Sequence, residues 1–122
     1  MRRRGFPLLI ALGLLAGASG CRSVADRVRA QAARDFDCPE EKVTTDAVSA
    51  WLMRATGCGT EALYNRWADT PLARAVFDLN CPKEQVKMFA LGDGALGVEG
   101  CGKRVSYAWV HGAWIASAAP TP

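Results

Sequence analysis

Four cysteines, Cys38, Cys58, Cys81 and Cys101, follow one another at steps of 20, 23 and 20 residues. Thiols can bind a metal or bridge one another. A four-thiolate zinc site draws on pairs of cysteines two to four residues apart, and this spacing has no such pair. Bridging leaves three pairings open. Sliding the chain by 43 residues narrows them. Ala32, Asp35, Cys38, Pro39, Glu41, Val43, Ala47, Gly57, Cys58, Gly59 and Tyr64 then fall on Ala75, Asp78, Cys81, Pro82, Glu84, Val86, Ala90, Gly100, Cys101, Gly102 and Tyr107. If one unit was duplicated, each copy carried its own cysteines, so the expected bridges are Cys38–Cys58 and Cys81–Cys101. Closing a loop of that length contributes ~3 kcal/mol in the chain-entropy model. A small domain has only about 5–15 kcal/mol in all, so two such bridges matter.

The other reactive side chains are sparser. Trp51, Trp67, Trp109 and Trp114 offer stacking faces for a sugar or a peptide, although tryptophan also fills cores. Lys103-Arg104 is a small basic knob that could meet an acidic partner; the first copy has Thr60-Glu61 there. Trp109, Trp114, Lys103 and Arg104 are therefore the candidate ligand or partner contacts. His111 is the sole histidine and falls in a turn after the last strand, without a nucleophile motif to serve. Asp35, Asp37, Glu40 and Glu41 crowd around Cys38, but a carboxylate acid/base pair needs a cleft and separated pKa values. Helix-end and turn roles explain them better. No catalytic residue, metal or cofactor is expected, and no phosphate loop or dinucleotide fingerprint occurs.

The first 20 residues read as an export signal. Met1-Arg-Arg-Arg precedes an apolar run from Gly5 to Ala16 and a small-residue patch, and the run is too short to span a bilayer. Ala18-Ser19-Gly20-Cys21 resembles a bacterial lipobox, with Ala in place of the usual leading Leu. The resemblance implies cleavage before Cys21, a diacylglycerol thioether on its sulfur and N-acylation. Each buried CH₂ contributes ~0.8 kcal/mol, so several acyl chains anchor a small protein firmly. The plainer alternative is an ordinary signal peptidase cut near Ala18. Arg22, rather than Asp, after the cysteine points by analogy with lipoprotein sorting to the outer membrane of a Gram-negative cell. Arg3-Arg4-Gly5-Phe6 also resembles a twin-arginine signal, but a chain that needs disulfides fits export in the unfolded state better.

The elements that must position these groups can be read from periodicity. Ser23 caps a helix from Val24 to Phe36, whose Val24, Val28, Ala32 and Phe36 form one apolar stripe. Thr70-Pro71 opens a second helix with Leu72, Ala75, Val76 and Leu79 on its apolar face. Three strands follow each Cys-Pro: 42–46, 50–56 and 61–67 in the first copy, and 85–91, 95–99 and 105–110 in the second. Gly92-Asp-Gly94 makes the second copy's hairpin turn. Asn65 to Asp69 links the copies. The expected fold is α+β, two repeats (32–67 and 75–110) of a helix plus a three-stranded antiparallel meander, each stapled by one disulfide. They form a single domain over 21–115, followed by a disordered tail, 116–122.

Charge excludes one class of function. The formal charge is +3, but Arg2, Arg3 and Arg4 lie in the leader; removing them leaves 12 basic against 12 acidic residues. A nucleic-acid binder needs a basic footprint that this balance lacks. Cys81-Pro82-Lys-Glu-Gln-Val86, Leu91-Gly-Asp-Gly-Ala-Leu-Gly-Val98, Gly100-Cys-Gly-Lys-Arg104 and Tyr107 together resemble a group of small, uncharacterised lipoproteins of myxobacteria. The likeness is close over 75–110 and diluted over 32–67, where Gly-Thr-Glu replaces Gly-Lys-Arg. It implies location and disulfides, not an activity. The expected function is an exported, lipid-anchored envelope protein, not an enzyme, acting as a structural or protein-interaction module. Its partners would be the membrane, through the anchor, and an envelope protein or carbohydrate. The alternative is a tryptophan-mediated binder of carbohydrate or peptide, and a third is a small hydrolase or an inhibitor of one.

Overall fold

A computed structural model of the chain describes residues 22–92 and 94–122. The export leader and Cys21 lie outside the described residues. Two helices and two antiparallel sheets make an α+β fold, and among the described residues no helix is long and apolar enough to cross a membrane.

Helix α1, Val24–Phe36, forms where the apolar stripe predicts it. The Ser23 hydroxyl accepts the Asp26 N–H at 3.1 Å, which satisfies one of the free donors of the first turn. Val28, Ala32 and Phe36 are buried along one face. The helix stops at Asp37, which takes a left-handed conformation (φ 52°). The next amide, Cys38 N–H, reaches back to the Ala33 carbonyl at 2.9 Å. This is the Schellman arrangement, with proline following where the helix cannot continue. Helix α2, Leu72–Leu79, ends the same way: Asn80 is left-handed (φ 47°) and Cys81 N–H donates to the Val76 carbonyl at 3.2 Å. Its start differs from expectation. Pro71 rather than Thr70 holds the cap position, and the Thr70 hydroxyl turns instead to the Met88 thioether at 3.8 Å.

A single 3₁₀ turn follows each Cys-Pro, at Glu40–Lys42 and Lys83–Gln85, so the first strand of each half starts two residues later than its periodicity suggests. The first sheet has the order β1-β2-β3, from Thr44–Ala47, Leu52–Gly57 and Thr60–Asn65. The second has the order β4-β5-β6-β7, from Lys87–Ala90, Ala95–Gly100, Lys103–Val110 and Ala113–Ala116. The fourth strand corrects the expected three-stranded meander. His111 and Gly112 both have positive φ (51° and 79°), the requirement of a two-residue type I′ hairpin, and they return the chain along β6.

The segment 116–122, expected to be disordered, also pairs. Ser117 N–H donates to the Ser106 carbonyl at 2.8 Å, and Thr121 exchanges two backbone hydrogen bonds with Arg104, at 2.8 and 2.9 Å. The physical reason is the length of β6. It outruns β7 and leaves edge amides and carbonyls that need partners, which the tail supplies.

The bridges are Cys38–Cys58 and Cys81–Cys101, with Cα atoms 5.9 and 5.7 Å apart. Each ties the residue after a helix cap to the two-residue turn between the second and third strands of its half. Cys58-Gly59 (φ 50° and 78°) and Cys101-Gly102 (φ 53° and 77°) are both type I′ turns. Gly57 and Gly100, one residue earlier, admit the close approach. A Cβ at Gly100 would lie 2.9 Å from the Cys81 sulfur and 3.0 Å from the Gln85 carbonyl oxygen.

Beneath each sheet one tyrosine is buried completely. Tyr64 donates to Asp35 Oδ2 at 2.8 Å, and Tyr107 donates to Asp78 Oδ2 at 2.6 Å. Each hydroxyl thus links the central part of its half to the last turn of its helix. The two sheets meet along β3 and β4, where Leu63 N–H donates to the Met88 sulfur at 3.5 Å. Leu63, Leu79, Leu96, Val98 and Phe36 complete a shared core.

Two outcomes follow from this packing. Gly100→Ala should cost about 1–3 kcal/mol in a denaturant titration, because the added methyl has only backbone and sulfur to push against. Burial, and then the hydrogen bond to a carboxylate, hold both phenols above their ordinary value of 10.0. The folded pKa is raised, so this stabilisation is whole below pH 10 and is lost as the pH rises above it. Tyrosinate absorbance should therefore stay absent through pH 10 and rise only together with loss of near-UV circular dichroism.

Candidate functional site

The four tryptophans occupy separate places in the sequence and one place in the structure. Trp109 and Trp114 are directly opposed on β6 and β7, brought together by the His111-Gly112 turn. Their rings meet edge to face, with centroids 5.3 Å apart. Trp67 comes from the connection between the halves. Its ring stacks on Trp109 at 5.5 Å, with an interplanar angle of 11°. Offset and edge-to-face contacts of this kind are the favoured aromatic geometries. Trp51 comes from the loop joining β1 and β2. The Arg66 guanidinium carbon lies 5.3 Å from the Trp51 ring centroid and 5.5 Å from that of Trp67, within cation–π range of both.

Asn65 shapes the connection that presents Trp67. Its side-chain oxygen accepts the amides of Trp67 and Asp69, at 3.0 and 3.1 Å. Its own backbone closes the loop, through Asn65 N–H to the Asp69 carbonyl at 3.0 Å and Ala68 N–H to the Asn65 carbonyl at 2.9 Å. Asn and Asp side chains commonly make such turns by standing in for a backbone carbonyl. On the same side, the Ser49 hydroxyl accepts the amides of Trp51 and Leu52, at 3.1 and 3.2 Å, and fixes the loop that carries Trp51.

These groups line a cleft of about 650 Å³ between the halves, with Trp51, Leu52, Asn65 and Trp67 on one side and Gly94, Trp109 and Trp114 on the other. That volume lies in the range of small-ligand sites, which are mostly apolar with a few placed polar groups. Trp51 and Trp67 are 50% and 54% exposed, so much of each side chain is left to solvent rather than buried in the core. Two of the residues lining the cleft carry a buried nitrogen with no partner among the described residues: Asn65 Nδ2 and Trp114 Nε1. Asn65 is only 5% exposed, and an unpaired buried donor costs about 1–3 kcal/mol.

The remaining candidates are elsewhere. Lys103 and Arg104 begin β6, whereas Trp109 lies near its other end, so the basic knob and the tryptophans are not one site. Arg104 is opposite Glu99 on β5 and pairs through its backbone with the tail. His111 is exposed in its hairpin turn. Asp37 caps α1, Asp35 holds Tyr64 and also accepts from Gln31 at 2.9 Å, and Glu40 is 3.9 Å from Arg29. A second, more polar groove of about 780 Å³ runs past the other side of Trp67 and is lined by Asp35, Asp69, Lys83 and Glu84. Burial raises the Asp69 carboxyl above its ordinary value, and the Lys83 hydrogen bond at 2.9 Å lowers that of Glu84. Among the described residues no set of three or more metal-ligating side chains converges.

Sequence reasoning named Trp109 and Trp114 as contacts and missed Asn65 and Arg66. Both fall in the connection between the halves, and the only signal was their adjacency to Trp67. Comparison with known proteins finds no matching family model, no matching curated protein and no matching solved structure.

Proposed function

We propose that this protein is an exported, lipid-anchored envelope protein that binds carbohydrate in the tryptophan cleft. The observation that carries the proposal is the convergence of four tryptophans from four separate segments, two of them half exposed, around one cleft. A pyranose presents apolar C–H faces and hydroxyl acceptors. Aromatic rings match the first and N–H groups the second. A protein with a purely structural role would gain more from burying those rings than from leaving them to water, at ~25 cal/mol per Å² of apolar surface. The carbohydrate-binding alternative is therefore favoured over the structural or protein-interaction module expected first from the sequence.

The anchor belongs to the same proposal. What supports it is the lipobox-like Ala18-Ser19-Gly20-Cys21 in the leader and two disulfides, which form and persist in oxidising compartments. Acylation of Cys21, followed by Arg22 rather than Asp, would hold the domain at the outer membrane of a Gram-negative cell. The two halves share their order of helix, 3₁₀ turn and three strands, and we take them as copies of one ancestral unit.

Two measurements test this. Titration of envelope polysaccharides and neutral oligosaccharides, followed by tryptophan fluorescence, should give saturable binding. Trp67→Ala should weaken it by about five- to thirtyfold, the equivalent of one or two kcal/mol. Absence of binding to every glycan tested removes the proposal. In the native host, labelled palmitate should enter the wild-type protein and not Cys21→Ser, which should leave the membrane fraction.

A further inference from the structure

Resting on the carbohydrate-binding proposal, we infer that the cleft selects acidic sugars, with Arg66 as the residue that binds their carboxylate. The walls of the cleft and of the smaller cavity adjoining it past Trp51 are assembled from apolar, small and neutral polar residues. Arg66 is the sole formal charge among their described lining residues. Some arginines elsewhere are paired, Arg54 with Asp46 and Glu61, Arg74 with Asp78 and Arg29 with Asp26, whereas Arg27, Arg34 and Arg104, like Arg66, are in no ion pair among the described residues. Arg66 has no ion pair among the described residues, and its side chain donates no hydrogen bond to them.

Its surroundings explain why this is a site rather than a loose surface arginine. The guanidinium lies within cation–π distance of Trp51 and Trp67, and its backbone carbonyl is held by Arg27 Nη2 at 3.2 Å. Its N–H groups have no hydrogen-bond or ion-pair partner among the described residues, and a guanidinium can use them for the two parallel hydrogen bonds of an arginine–carboxylate pair. Held between two rings, the side chain has already lost much of the rotamer freedom that an exposed ion pair must give up on forming. Trp67 stacks on Trp109 and lies within cation–π distance of Arg66, so a sugar in the tryptophan cleft lies beside the cation, and a carboxylate on it can pair with the guanidinium.

The test compares sugars that differ only in the acid. The intact protein is titrated with oligogalacturonate against its methyl ester, and with N-acetylmuramic acid against N-acetylglucosamine. We expect the acid to bind about tenfold tighter in at least one pair, since a hydrogen bond to a charged group contributes about that much. Which pair shows the gap identifies the source of the carboxylate. The gap should shrink with added salt. Arg66→Gln should abolish the gap between the acid and the neutral sugar, and Arg66→Lys should keep part of it. Near-UV circular dichroism confirms that the variants fold. Equal affinity for acid and neutral forms in both pairs overturns the inference and leaves the carbohydrate proposal standing. Binding of poly-glutamate as tight as that of any acidic sugar overturns it too, because the site would then read charge on a peptide.

Discussion

Each disulfide joins two places where the backbone has already been forced to turn. One end is the residue after a left-handed helix cap; the other is the first position of a type I′ turn. Neither place tolerates much variation. Asp37 and Asn80 accept positive φ because short polar side chains adopt it at low cost, whereas Cys58 and Cys101 pay a penalty of roughly 1–2 kcal/mol for it. The bridges, at ~3 kcal/mol each, more than offset this. Because the helix end and the hairpin tip are fixed to each other, the 3₁₀ turn and the first strand between them have little freedom left. The rest of each half is laid out from that pin.

A second fixed point sits at the other side of each helix end. Asp35 and Asp78 belong to the last turns of their helices and accept hydrogen bonds from tyrosines at the bottom of the core. Helix and sheet are thus joined twice, once by sulfur and once by a phenol, a few residues apart. Helix rotation about its own axis would break one or the other. The joint between the halves is softer: the Met88 sulfur takes the amide of Leu63 where a carbonyl would ordinarily serve. Methionine suits that place because its unbranched thioether adapts to an irregular gap.

The tryptophan cleft lies across this joint and depends on it. Trp51 and Trp67 ride on the first half, Trp109 and Trp114 on the second. The stack of Trp67 on Trp109 exists only when the two sheets are seated against each other. The connection 65–69 would be a simple linker if its role were only to span the distance. Instead, Asn65 folds it into a tight turn that sets one ring parallel to another and leaves a cation next to them. Binding surfaces of this kind are commonly built on loops held by a rigid scaffold, and the two stapled halves are that scaffold.

Local signals were enough for the helices and for the bridges. The spacing of Val28, Ala32 and Phe36, with Ser23 before them, determines α1 because burial of one stripe and capping of one end are both properties of neighbouring residues. The offset of 43 residues pointed to Cys38–Cys58 and Cys81–Cys101 without any geometry. It also aligned Tyr64 with Tyr107 and Asp35 with Asp78, yet nothing local says that a tyrosine will meet a carboxylate 29 residues away. The fourth strand and the paired tail escaped detection since they answer a need of β6, an edge with free amides, that exists only once the sheet is formed. The cleft was decided by tertiary structure alone. Stacking between Trp67 and Trp109 depends on how two sheets seat together, and periodicity carries no information about that angle.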